Sequence, residues 1–182
     1  PAAEPAQRAP PSRVSALRFG AFAGAAVDVG ALPAATVGAA LGMSMELASL
    51  RAELFGALFL PQRADLPDGR GGEFDLAVGG LRACARHAYG WFQVMGCAGF
   101  EAGRLSGRGL RVSRQHPRST GWYAPGVDLG VAGTLGPSFG LLLRAGVAKP
   151  LARPEFVLDG TQAVHRAAAL TVRLLLAAEL YF

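Results

Sequence analysis

Hydrophobic and polar positions alternate with a period of two along most of this chain. Between Val14 and Val29, Leu17, Phe19, Ala21, Ala23, Ala25 and Val27 alternate with Arg18, Gly20, Phe22, Gly24, Ala26 and Asp28. That is the mark of a strand with one apolar face. The pattern recurs from Thr36 to Leu47, from Leu50 to Leu60 with a stop at Pro61, and from Glu73 to Ala85. It continues from Phe92 to Glu101, Trp122 to Leu135, Phe139 to Ala148 and Leu170 to Phe182, so eight strands are predicted. The alternation blurs after Gly79-Gly80, where a β-bulge is expected. Breaks after strands two, four and six are tight. Those after three, five and seven, at Pro61 to Gly72, Arg104 to Gly121 and Lys149 to Gln162, are long and polar, while the first connection is short.

In the last stretch, Leu170, Val172, Leu174, Leu176, Ala178, Leu180 and Phe182 share one parity and Thr171, Arg173, Glu179 and Tyr181 the other. A helix would also align Leu170, Leu174, Ala177 and Tyr181; the period-two pattern of the rest of the chain favours the strand. This segment resembles the terminal strand of bacterial outer-membrane β-barrel proteins, which end in Phe with apolar residues at alternate positions before it. On that resemblance Leu176, Ala178, Leu180 and Phe182 are the signal met by the barrel-assembly machinery. The alternation of short and long connections resembles the small eight-stranded barrels of the OmpA/OmpX type, with tight periplasmic turns and longer extracellular loops. The resemblance implies an all-β fold, an eight-stranded antiparallel transmembrane barrel over residues 14–182. It places the exported chain in the bacterial outer membrane, among outer-membrane lipid and lipopolysaccharide, and carries no activity with it. Residues 1–13, rich in Pro and Ala, are expected to be a flexible mature N-terminus or linker.

Composition narrows the choice. The 182 residues suffice for one domain, and 51% are hydrophobic, yet no apolar run approaches the ~20 residues of a membrane-crossing helix. A membrane protein of this make-up has to be a barrel. The 25 glycines, about twice the usual share of roughly 7%, lie within the apolar segments, where they suit curved sheet better than helix. The charge of +5 is almost all arginine, Lys149 being the single lysine. There is no zinc spacing, RNA-binding aromatic signature or helix-turn-helix, so neither a nucleic-acid partner nor a metal or other cofactor is expected.

The apolar face carries Leu, Val, Phe and Met, and the other mostly Gly and Ala with scattered charges. A water-facing surface needs many more long polar residues, whereas small residues fit a narrow barrel interior. A soluble lipocalin-like ligand-binding barrel is the competing reading. In the membrane barrel Arg18, Asp28, Glu46, Arg51, Glu53, Asp75, Glu101, Asp128, Arg144, Arg173 and Glu179 share the lumen. Confined charges of both signs should pair, because an isolated buried charge costs several kcal/mol. Arg18, Glu46, Arg51, Glu53 and Glu179 fall toward one end and form the expected centre of that cluster.

Cys84 and Cys97 flank the fourth connection, and in an oxidising periplasm they are expected to pair. Two free thiols are the alternative, since Cys84 shares the interior face only if the bulge at Gly79-Gly80 shifts the parity. Arg104, Arg108, Arg111, Arg114 and Arg118, with His116, make the most basic stretch. It is either a solvated loop or a contact for anionic lipid, arginine being a bidentate phosphate ligand. Tyr89, Trp91, Trp122, Tyr123 and Tyr181 lie near strand ends, as in an interfacial girdle, with core packing the competing reading. His87, His116 and His165 are the candidates for a lipid-modifying hydrolase or acyltransferase, but none has a Ser and a carboxylate placed with it. The expected function is therefore non-enzymatic: a barrel with a side-chain-filled lumen in a structural or interaction role, alone or with other envelope proteins. The small strand number and charged lumen disfavour a conducting pore.

Overall fold

The computed structural model describes residues 17–67, 69–111, 118–153, 155–158 and 162–182. Its strands are β1 (Arg18–Val29), β2 (Thr36–Leu47), β3 (Leu50–Asp65), β4 (Gly71–Tyr89), β5 (Phe92–Leu110), β6 (Arg118–Thr134), β7 (Phe139–Ala148), β8 (Glu155–Leu158), β9 (Gln162–Arg166) and β10 (Thr171–Tyr181). Eight of them close into an antiparallel barrel in the order β1-β10-β7-β6-β5-β4-β3-β2, and β8 and β9 form a separate hairpin inside the last long connection.

The seam that closes the barrel joins the first and last strands. Gly20 to Val29 pair with Tyr181 back to Val172, and Phe19 and Phe182 exchange backbone hydrogen bonds of 3.3 and 3.0 Å. Gly24 makes the seam possible: a Cβ there would run into the carbonyl oxygen of Leu176.

Side chains sort cleanly by parity, as a single closed wall requires. Leu41, Leu58, Leu81, Leu129, Leu143 and Leu176 face outward and are exposed, while Phe22, Phe55, Leu142 and Leu175 face inward and are buried. The outer surface is thus the apolar one.

Two of the long loops expected from the sequence are mostly strand. Residues 61–65 continue β3, and residues 104–110 and 118–121 belong to β5 and β6. Pro61 does not end β3 because it falls in a bulge between Phe59 and Gln62, where no ladder donor is needed. The bulge expected at Gly79-Gly80 does not occur: pairing of β4 with β3 and β5 runs unbroken through both residues. Glycine is wanted at position 80 for another reason, since a Cβ would meet the Phe55 ring at 2.8 Å. Unbroken parity turns Phe74, Leu76, Val78 and Cys84 inward, and places Asp75 on the opposite face of β4, outside the lumen.

Candidate functional site in the barrel interior

Three tiers of ion pairs climb the interior. In the tier nearest the chain ends, Arg51 donates to Glu46 at 2.9 Å, to Glu53 at 2.7 Å and to Glu179. Glu179 also accepts from the Ser44 hydroxyl at 3.2 Å and from the Tyr181 hydroxyl at 2.8 Å. Arg86 lies 3.3 Å from Glu46 and donates to Gln93 at 2.7 Å. In the middle tier Arg144 donates twice to Glu53, at 2.5 and 2.7 Å, and lies 3.1 Å from Asp128. Arg82 approaches Asp128 at 3.1 Å and Glu53 at 3.6 Å, with the Phe55 ring 3.6 Å from its guanidinium carbon. In the upper tier Arg173 bridges Asp28 at 2.8 Å and Glu101 at 2.5 Å, and the Trp122 indole donates to Glu101 at 2.8 Å. Above it Phe59, Phe74, Leu76, Leu105 and Trp122 are buried together.

Pairing register accounts for three of these contacts. Glu46 faces Arg51 across the β2–β3 hairpin, Glu53 faces Arg82 across β3 and β4, and Asp28 faces Arg173 across the β1–β10 seam. Contacts such as Arg51 with Glu179 and Arg144 with Glu53 cross the lumen and exist only because the sheet closes. Burial is nearly complete: the side chains of Arg51, Glu53 and Glu179 have no exposed surface. In such a space each charge needs its partner, since breaking a buried pair leaves a charge without solvation. The tiers hold five arginines, Arg51, Arg82, Arg86, Arg144 and Arg173, against six carboxylates, Asp28, Glu46, Glu53, Glu101, Asp128 and Glu179. The mismatch falls on Arg51, which serves three carboxylates.

A wall apolar outside and polar inside is that of membrane-spanning barrels. The fold is the small eight-stranded outer-membrane barrel. A major outer membrane protein from Thermus thermophilus superposes with a TM-score of 0.68 at 15% identity, covering 92% of this chain and 100% of that one. Ail, the attachment invasion locus protein of Yersinia pestis, solved with the heparin analogue sucrose octasulfate, gives 0.59 at 12% identity, with 91% and 99% covered. Neisserial surface protein A gives 0.58 at 12% identity, with 91% and 97% covered. No protein-family model and no curated protein matches the chain. At these identities the likeness is one of fold.

Several residues of the barrel take roles other than those the sequence suggests for them. Arg18 lies at the mouth and joins no carboxylate among the described residues. Its guanidinium stacks 3.8 Å from the Tyr181 ring centre and donates to the Pro137 carbonyl at 2.9 Å, a partner the β6–β7 turn supplies at the rim. Asp75, on the outer face, takes no part in the tiers. Arg82 and Arg86 do, although Ala83 and Ala85 are too small to label the outward face between them; their shared parity with Cys84 is the signal that finds them. Trp122 and Tyr181 point inward instead of lining an interface, because Glu101 and Glu179 take up their polar ends. Tyr89, Trp91 and Tyr123 are exposed.

Cys84 and Cys97 are joined in a disulfide, directly opposite each other on β4 and β5. At the far rim Arg63 and Arg108 both hold Glu73 on the outer face of the extended strands, Arg63 at 3.0 Å. The Arg63 hydrogen bond chiefly, helped by Arg108, keeps that carboxyl below the usual carboxylate range. Arg104 and Arg118 are exposed and Arg111 donates to the Gly69 carbonyl at 3.0 Å; Arg114 and His116 lie outside the described residues. His87 is exposed beside Tyr89, ring centres 4.7 Å apart. His165 bonds the Ala31 carbonyl at 2.9 Å and packs on Phe74, and burial pushes its imidazole down. Neither His87 nor His165 bonds a Ser or a carboxylate among the described residues.

Proposed function

We propose that this chain is a non-enzymatic barrel of the bacterial outer membrane whose lumen is filled by ion-paired side chains. It serves a structural or interaction role at the cell envelope, by itself or as a subunit of a larger envelope assembly. The observation that carries the reading is the inverted surface. Large apolar side chains from every barrel strand are exposed on the outside, with Leu41, Leu58 and Leu129 each about two-thirds exposed or more, and the charges are inside. A soluble monomer rarely exposes more than a few hundred Å² of continuous apolar surface, and a lipocalin-like barrel would carry the opposite arrangement. Hydrocarbon is the solvent this exterior matches.

Above the apolar belt, Arg63, Arg104 and Arg108 sit on the outer face at the level where anionic head groups begin. Lipopolysaccharide phosphates are the partner that fits them, guanidinium being a planar, bidentate phosphate ligand. Ail, solved with a heparin analogue, supports the view that a barrel of this fold can meet a polyanion. Leu176, Leu180 and Phe182, exposed on the outer face of the closing strand, are the residues the assembly machinery would engage.

The test is reconstitution. Protein from the outer-membrane fraction should shift its gel mobility on boiling, and in planar bilayers it should carry no steady ion current. Sustained conductance would refute the filled lumen, and solubility without detergent would refute the membrane reading altogether. Binding to lipopolysaccharide vesicles should fall several-fold in the triple variant Arg63→Ala, Arg104→Ala, Arg108→Ala.

A further inference from the structure

The bond between Cys84 and Cys97 is out of reach in the finished barrel. Both residues face the lumen and are 3% and 6% exposed. Across β3, Cys84 is paired with Arg51, and across β6, Cys97 is paired with Asp128. The sulfurs therefore lie in the ring of strand positions that carries the lower and middle ion pairs, with Arg86 and Gln93 toward one mouth and Arg82 toward the other. Thiol–disulfide exchange needs a third sulfur to reach one of the bonded pair. Nothing the size of a dithiol, and no protein active site, can do so here while the ion pairs stand.

We propose that the disulfide is installed on the β4–β5 hairpin before the barrel closes, by a disulfide-bearing thiol oxidant acting on the still-open chain, and that it sets the register of that hairpin. One cysteine thiolate attacks the oxidant's disulfide, forming a mixed disulfide and releasing a thiolate that takes up a proton. The other cysteine thiolate then displaces the oxidant's second sulfur, leaving Cys84–Cys97 oxidised and the oxidant as two thiols.

Register is where this hairpin needs help. β4 and β5 are the longest strands, at 19 residues each. On either side of the cysteines small residues face each other, Ala83 against Ala98 and Ala85 against Gly96, and Gly80 and Gly99 lie a few residues further along the two strands. Gly-rich strands specify register weakly, because a slip exchanges one small contact for another. A slip of two would set Cys84 against Met95 or Gly99, beyond the reach of its partner. A disulfide formed early removes that freedom before closure makes the error permanent.

The experiment uses the full chain in detergent micelles, with free thiols counted by gel shift after quenching with a maleimide-polymer conjugate. Dithiothreitol should reduce the folded barrel about 1,000-fold or more slowly than the chain in urea, matching the small fraction of time a stable fold spends open. Conversely, a chain folded while reduced should stay reduced under oxidised glutathione, which oxidises the urea-unfolded chain readily. A reduced chain that reaches folded mobility only after oxidation also supports the proposal. Folded and unfolded rates within about tenfold of each other in either arm would overturn it, since the bond would then be reachable without opening the fold.

Discussion

Arg51 is the residue on which the interior turns, and replacing it by Met tests the tiers most directly. The substitution removes three charge-assisted hydrogen bonds, but its partners are not left equally exposed to the loss. Glu53 keeps Arg144 at 2.5 Å, and Glu46 keeps Arg86 at 3.3 Å. Among the described residues Glu179 keeps only the hydroxyls of Ser44 and Tyr181. The loss is thus close to that of one buried charge stripped of its counter-ion, about 3–5 kcal/mol, or roughly a thousandfold in the folded-to-unfolded ratio. Arg82→Met should cost less, about 1–2 kcal/mol, because both of its carboxylates retain Arg144. Adding Glu179→Gln to Arg51→Met should restore at least half of the lost stability, an amide being far cheaper to bury than an unpaired carboxylate. The assay is urea unfolding of barrels reconstituted in lipid at neutral pH, followed by tryptophan fluorescence and by mobility without boiling. An Arg51→Met barrel within about 1 kcal/mol of the parent would refute the argument that these charges depend on one another. So would a double variant no more stable than the single one.

The double variant Cys84→Ser, Cys97→Ser should lose about 3 kcal/mol, the loop-closure entropy of a 13-residue separation, read as a shift in the urea midpoint. Gly24→Val should block closure of the β1–β10 seam, because the new side chain meets the Leu176 carbonyl; a β spectrum with no heat-modifiable band is the expected result. The Glu73 ion pair at the rim should be sensitive to acid with a definite sign. Its folded carboxyl is held low by Arg63 first and Arg108 second, so its contribution is complete above the ordinary Glu value of about 4.3 and disappears as pH falls through the folded value. A titration of the Glu73 carboxyl by nuclear magnetic resonance in micelles checks this; an unshifted or raised midpoint would contradict it. His165 should resist protonation for the opposite reason, burial against Phe74. Its packing should weaken as pH falls below about 6.5, seen as broadening of its ring resonances.

What the sequence by itself determined is the two-faced wall. Period-two alternation is a local property, imposed by the pleat on every strand, so it can be read wherever one face is large and the other small. Eight strands and the tight turns follow from that pattern, while the antiparallel barrel is what the resemblance of the last strand and of the loop lengths to outer-membrane barrels implies. The parity of Arg51, Glu53, Arg144 and Glu179 is legible in the same way. Legibility failed where side chains are too small to mark a face or where the interior changes character. At Gly79-Gly80 the apolar pattern blurs, yet parity holds and it is the lumen that turns from charged to apolar above the upper tier. Phe74 and Leu76 therefore point inward, and Asp75 points out. Loop composition misled at Arg104 to Leu110, because strands that rise beyond the apolar belt no longer need an apolar face.

Only the tertiary structure decided which charges meet. Glu46 and Arg51 are five residues apart on one hairpin, but Arg51 and Glu179 are separated by 128 residues and come together only across a closed lumen. Closure also decided that the mouth claims Arg18, that Trp122 on β6 finds Glu101 on β5 as its acceptor, and that the paired cysteines end in the charged ring. The reason is geometric: pleating assigns each side chain a face within its own strand, while its neighbours across the lumen depend on the curvature and stagger of all eight strands together.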